Sequence, residues 1–127
     1  MAGPARIMVI GDEREALRTV SRGLRPAGYR VVVAGQQAAP ASIRKYRPDL
    51  VLLDIREPPA EGFRLLSLIR RFSTVPVIVL AARREGKYLE EALGLGADDF
   101  FTRPFNMPLL AARIEAMLRL YRRRERG

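Results

Sequence analysis

The 127 residues carry 23 basic against 14 acidic side chains, a net charge of +9, and 48% of them are apolar, enough to close the core of one compact domain. Neither cysteine nor histidine is present, which excludes disulfide scaffolds, Cys/His zinc centres and catalytic triads built on His or Cys. Apolar runs such as Val75 to Ala82 are far too short to span a bilayer, and Met1-Ala2-Gly3-Pro4 lacks the apolar stretch of a secretory signal, so a cytoplasmic location is expected.

Ile7-Met8-Val9-Ile10 is apolar at every position, the mark of a strand covered on both faces. Ala16, Leu17, Val20 and Leu24 then share one helical face, which Pro26 and Gly28 stop. Val31-Val32-Val33 predicts a second strand, and Pro40 can open a second helix that Pro48 ends. Leu50 to Leu53 predicts the third strand; Phe63, Leu66 and Ile69, with Leu65 and Leu68 alongside, predict the third helix. Val75 to Leu80 follows as strand, then Leu89, Ala92 and Leu93 as a helix closing near Gly94 and Gly96, then Phe100-Phe101 as the last strand. Asn106 is suited to cap the fifth helix, with Pro108 in its first turn and Leu110, Ile114, Met117 and Tyr121 along its length.

Strict alternation of five strands and five helices implies a parallel sheet with helices on both sides. Functional groups in such sheets collect beyond the carboxyl ends of the strands, near the topological switch point. The residues there are Gly11-Asp12-Glu13, Asp54, Ala81-Ala82 and Thr102-Arg103-Pro104-Phe105. A single aspartate after a strand is commonly a cap. Two of them, Asp12 and Asp54, on neighbouring strands need a cation between them, supplied by Arg103 or by a hard metal ion.

Of the 23 basic residues only Lys45 and Lys87 are lysine. The scattered arginines read as solvated helix faces. Arg119, Arg122, Arg123, Arg124 and Arg126 instead crowd the end, either as a helix terminus favoured by its dipole or as the start of a linker to a nucleic-acid-binding domain. The expected division is a domain over 5–121 and a basic tail over 122–127.

Five segments together resemble the response-regulator receiver (CheY-like) family: Ile7 to Glu13, Pro48 to Ile55, Pro58 to Phe63, Pro76 to Arg83 and Gly96 to Phe105. The Gly96-Ala97-Asp98-Asp99 run and the Leu110 to Ile114 helix look like receivers that precede a winged-helix DNA-binding domain (the OmpR/PhoB type). The resemblance implies a flavodoxin-like, doubly wound α/β fold with strand order 2-1-3-4-5 and five helices. It also implies a phosphoryl group taken by Asp54 from a histidine kinase, and Mg2+ held by acids at 11 and 12, by Asp54 and by the carbonyl of residue 56. A hydroxyl at 81 and a lysine at 103 would hold the phosphoryl group. Asp54 and Asp12 match. Gly11 lacks the carboxylate and Ala81 the hydroxyl, and Arg103 keeps the charge with a planar fork able to grip a carboxylate.

These departures predict a weakened Mg2+ site, drawn at most from Asp12, Asp54 and Arg56, with Arg103 paired to Asp54 or Asp12 in the metal's stead. Arg56 either adds a second positive charge or points to solvent. The family's relay runs from the hydroxyl at 81 to an aromatic at 100; Ala81 breaks it, and Phe100 is either a switch or a packed edge residue. On the surface where the winged-helix subfamily dimerises, Asp99 and Arg113 fit one ionic rung. Leu89 and Leu109 replace the charges of another, unless both belong to the monomer's core, and Glu115 stands where a basic residue is common. The leading reading is a non-enzymatic regulatory or dimerisation module coupled to transcription, with weak or no phosphorylation, reaching DNA only through a separate output domain. The alternatives are a conventional receiver phosphorylated at Asp54, and a small basic nucleic-acid-binding protein.

Overall fold

The computed structural model describes residues 3–81 and 86–126, so Ala82 and Arg83 of the fourth segment lie outside it. Five strands form one parallel sheet: β1 (Arg6–Ile10), β2 (Arg30–Ala34), β3 (Leu50–Ile55), β4 (Val77–Ala81) and β5 (Asp99–Thr102), in the order β2-β1-β3-β4-β5. The helices are α1 (Arg14–Leu24), α2 (Ala39–Tyr46), α3 (Ala60–Phe72), α4 (Gly86–Gly94) and α5 (Met107–Arg126). This is the doubly wound order expected. None of the described helices is long and apolar enough to cross a membrane.

Strand pleating divides the core in two. Ile7, Val9, Leu50, Leu52, Ile78 and Leu80 pack with Leu17, Val20 and Leu24 of α1 and Leu110, Ile114 and Leu118 of α5. Met8, Ile10, Val51, Leu53, Ile55, Val77, Val79 and Ala81 pack on the other face against α2, α3 and α4. Burying an aliphatic side chain contributes about 1.5–3 kcal/mol, and the three central strands are apolar because both their faces are covered. The outer strands are not so covered. Val33 on β2 is exposed, and Phe100 and Phe101 on β5 are half-buried, so an all-apolar run there does not imply two covered faces.

Helix ends follow local chemistry. Asn106 caps α5 as expected, its Oδ1 accepting from the Leu109 N–H at 3.1 Å. Glu13 caps α1 in the same way through the Glu15 N–H at 2.9 Å. Leu68 and Leu93, read as lying along core faces, are exposed; Leu66, Ile69 and Ala92 make the contacts instead. The basic end is a continuation of α5, whose backbone stays helical to Arg126, five residues past the expected boundary at Tyr121.

At the amino end of the sheet, Arg70 ties four segments together. It donates to the carbonyls of Gly96 (2.8 Å), Val75 (2.6 Å) and Ser73 (3.3 Å) and pairs with Asp98 at 2.9 Å. Asp98 also accepts from the Val77 N–H at 2.8 Å and the Tyr121 hydroxyl at 2.9 Å. Gly96 has φ +108°, and a Cβ there would lie 2.8 Å from the Arg70 side chain, so the turn and the arginine's approach both require glycine. Arg70 is thus an exception to the solvated reading of the scattered arginines.

Candidate functional site: a carboxylate between two guanidinium groups

Asp54 lies within β3, opposite Leu80 on β4, and alternation turns it to the face shared by α1 and α5. It is 1% exposed. A carboxylate so buried must be compensated, and two arginines do it. Arg103, on the segment leaving β5, donates through Nη2 to Oδ1, and Arg56, just beyond β3, donates through Nε to Oδ2 at 3.0 Å. The Arg103 backbone is fixed by its own N–H, which donates to the Ala81 carbonyl at 2.9 Å. Of the two partners expected for Arg103, Asp54 is the one engaged, and Arg56 is paired rather than free in solvent.

Arg103 is itself poorly compensated. Burial pushes its guanidinium below the ordinary arginine range, while the Glu13 charge pulls the other way. Its Nη1 is shut off from solvent and has no hydrogen-bond partner among the described residues. An arginine remains charged under such conditions, so the site holds one carboxylate between two cations.

Asp12 sits at the same end of the sheet but serves a different contact. Its Oδ1 accepts from the Gln36 N–H at 3.1 Å, capping the loop that follows β2. Gly11 is packed closely: a Cβ there would lie 3.0 Å from the Asp54 Cβ and 3.1 Å from Leu17 Cδ2. Among the described residues no group of three or more His, Cys, Asp or Glu could hold a metal ion. The two arginines take the oxygens of Asp54 that a Mg2+ site would need as hard ligands.

Ala81 is buried and paired with Thr102 across β4 and β5, leaving a methyl group where the relay expects a hydroxyl. Phe100 is half-buried against the α3 side of the core, with its N–H held by Asp99 Oδ1 at 2.8 Å. On the surface formed by α4, β5 and α5, Asp99 pairs with Arg113 of the same chain at 3.2 Å. Leu89 and Leu109 are 41% and 53% exposed, so neither belongs to the monomer's core. Glu115 pairs with Arg119 one turn on, at 2.9 Å. Sequence reasoning missed the Arg70, Asp98 and Tyr121 cluster; the signal available was Asp98 itself, a second acid set before a strand in Gly96-Ala97-Asp98-Asp99.

The response regulator receiver domain profile matches residues 7–115. The chain belongs to that family. It is 39% identical over 114 residues to the transcriptional regulatory protein KdpE of Mycobacterium tuberculosis, covering 89% of this chain and 50% of that protein. It is 37% identical over 116 residues to PrrA of the same organism, covering 90% and 50%. This receiver thus spans about half the length of the curated relatives it matches, which are transcriptional regulators. Among solved structures, the BeF3-activated receiver domain of Klebsiella pneumoniae RstA superposes with a TM-score of 0.83 at 28% identity, over 90% of this chain and 98% of that one.

Proposed function

We propose that this receiver is an atypical one, a cytoplasmic, non-enzymatic regulatory and dimerisation module coupled to transcription, in which Asp54 takes up little or no phosphate. The observation that carries the reading is the occupation of both Asp54 oxygens by guanidinium groups. An attacking carboxylate oxygen must first leave its arginine, and burial makes that separation costly, because breaking a buried pair exposes an uncompensated charge. Once formed, a phosphoryl group would find no hydroxyl at Ala81. A hydrogen bond to a charged group contributes about 1.5–3 kcal/mol, so the phosphorylated state loses roughly one to two decades of population bias.

Association through α4, β5 and α5 would then be independent of phosphate. Leu109, Arg113 and Leu120 lie along one side of α5, and Leu89 and Leu93 follow each other by one turn on α4; all four leucines are exposed. Such apolar residues can form an interface core without ionic help. DNA would be reached through a separate output domain, and a histidine kinase remains a partner only under the second reading.

That second reading is a conventional receiver, favoured by the survival of Asp54 on β3. Incubation with a labelled small phosphodonor and Mg2+ separates the two. Absence of label in the wild type supports the first; label that disappears in Asp54→Asn establishes the second.

A further inference from the structure

The basic side chains that the fold leaves without ion pairs gather at one end. All five strands run the same way, so α1, α2 and α3 each begin near the Asp54 end of the sheet and finish at the other. α1 carries Glu15 in its first turn and Arg22 in its last, with Arg25 just beyond. α3 carries Glu61 in its first turn and Arg70 and Arg71 in its last. α2 closes on Arg44 and Lys45, followed by Arg47, and Arg30 opens β2 at the same end. Arg70 is taken up by Asp98 and by carbonyl groups. The other seven are exposed, and none has an ion pair among the described residues.

Acidic side chains are sparse there. Asp49 accepts from the Arg6 N–H at 2.7 Å, and Asp98 is held by Arg70; Glu90 and Glu91 lie on α4, toward the β5 edge. Between the ends of α2 and α3 a cleft of about 460 Å³ is lined by Ile43, Arg44, Arg47, Phe72 and Val75, with no carboxylate in its lining. Arg44 lies over the Phe72 ring, 4.1 Å from its centre, and the Ser73 and Val75 carbonyls, which would repel an anion, are engaged by Arg70. The helix dipole favours a cation in a last turn, which accounts for Arg22, Arg44 and Lys45. It does not account for Arg30, on a strand, or for Arg47, past its helix at φ +45°, where glycine or asparagine is the usual residue.

We propose that this amino end of the sheet, from the α1–β2 turn to the α3–β4 turn, is a contact surface for the phosphate backbone of duplex DNA. It spans three strand spacings, roughly 14 Å, a length over which a duplex presents about eight phosphate charges. Six of the seven cations are arginines, whose planar fork meets a phosphate on two oxygens. Such contacts hold a protein on any sequence and read no base. They would turn the Asp54 end away from the duplex. The choice of DNA among polyanions rests on the coupling to transcription proposed above, whereas the surface itself does not depend on how Asp54 is neutralised.

The test is fluorescence anisotropy of a labelled mixed-sequence duplex with the full chain, between about 50 and 200 mM NaCl. Engagement of about four phosphates gives a log–log salt slope of about −3.6 and an affinity loss of about a hundredfold across that range. The triple variant Arg44→Gln, Arg47→Asn, Arg71→Gln should bind about tenfold or more weakly at low salt, with the slope reduced by about 2–3 and the melting temperature retained. Arg14→Gln combined with Arg64→Gln removes charge toward the opposite ends of α1 and α3 and should leave the slope unchanged. Equal loss in that control would reduce the effect to net charge and overturn the proposal. Undiminished binding by the triple variant would assign the DNA to the arginines after Tyr121 and overturn it too, as would binding to phosphatidylserine vesicles with none to DNA, or no saturable binding at low salt. Failure of DNA binding leaves coupling through an output domain untouched. Label uptake at Asp54 with DNA binding intact overturns only the reading of Asp54.

Discussion

Replacing Arg103 by glutamine tests whether the Asp54 pair has the energetic weight that its burial implies. Asp54 is 1% exposed, and after the substitution its one ionic partner among the described residues would be Arg56, whose side chain is 40% exposed and therefore screened. Breaking one member of a buried pair costs about 3–5 kcal/mol, and the surviving Arg56 contact offsets part of it, so Arg103→Gln should destabilise the fold by about 2–4 kcal/mol. In an Asp54→Asn background the buried charge is gone, and the same substitution should cost about 1 kcal/mol or less. The difference, a coupling of about 1–3 kcal/mol, is read from urea unfolding of the four proteins in a double-mutant cycle, where a slope of about 1–3 kcal/mol per molar turns it into a clear midpoint shift. A coupling below about 0.5 kcal/mol would refute the reasoning, because Arg103 would then be acting independently of Asp54.

Millimolar Mg2+ is expected to leave the melting temperature unchanged, since a ligand stabilises a fold only when its concentration exceeds its dissociation constant; a Mg2+-dependent rise abolished by Asp12→Ala would count against this. Sedimentation should show an association state indifferent to beryllofluoride and to Asp54→Asn but shifted toward monomer by Leu89→Asp, and a dimer that forms only with beryllofluoride would reverse the conclusion. Asp98→Ala, which takes the carboxylate from Arg70 and the Val77 N–H together, should cost about 2–4 kcal/mol in thermal or urea unfolding, whereas Tyr121→Phe removes the hydrogen bond to Asp98 and should cost about 1 kcal/mol. Equal losses in the two variants would argue that Asp98 is not the hub.

The sheet was legible in the sequence because a doubly covered strand calls for consecutive apolar residues, and Ile7 to Ile10, Leu50 to Leu53 and Val77 to Ala81 supply them. The edges were not, because Val33 and the Phe100-Phe101 pair look the same in sequence whether one face or two is covered. Asp54 and Arg103 could be placed at the strand ends from their positions after apolar runs, and their pairing was one of two expected outcomes. What Asp12 does could not be read in that way. Its partner is a backbone N–H at Gln36, twenty-four residues away, and backbone donors carry no letter in a sequence. Arg70 was hidden for a related reason: three of its contacts are carbonyl groups, and one arginine among 21 in the chain looks like any other until the turn at Gly96 closes on it.

The side of the sheet that Asp54 occupies also makes the site a matter of parity. Leu52 and Asp54 face α1 and α5, while Leu53 and Ile55 face the layer of α2, α3 and α4. Inserting or deleting a single residue in β3 ahead of Asp54 would exchange odd for even, sending the carboxylate toward a core built from Phe63, Leu66 and Ile69 and leaving Arg103 on the far side. An unpaired buried charge costs several kcal/mol, a large part of the roughly 5–15 kcal/mol by which a domain is stable at all. Point substitutions at this site can be tolerated one contact at a time. A frame slip within the strand cannot, so drift at the pocket should proceed by exchange of side chains and almost never by change of length.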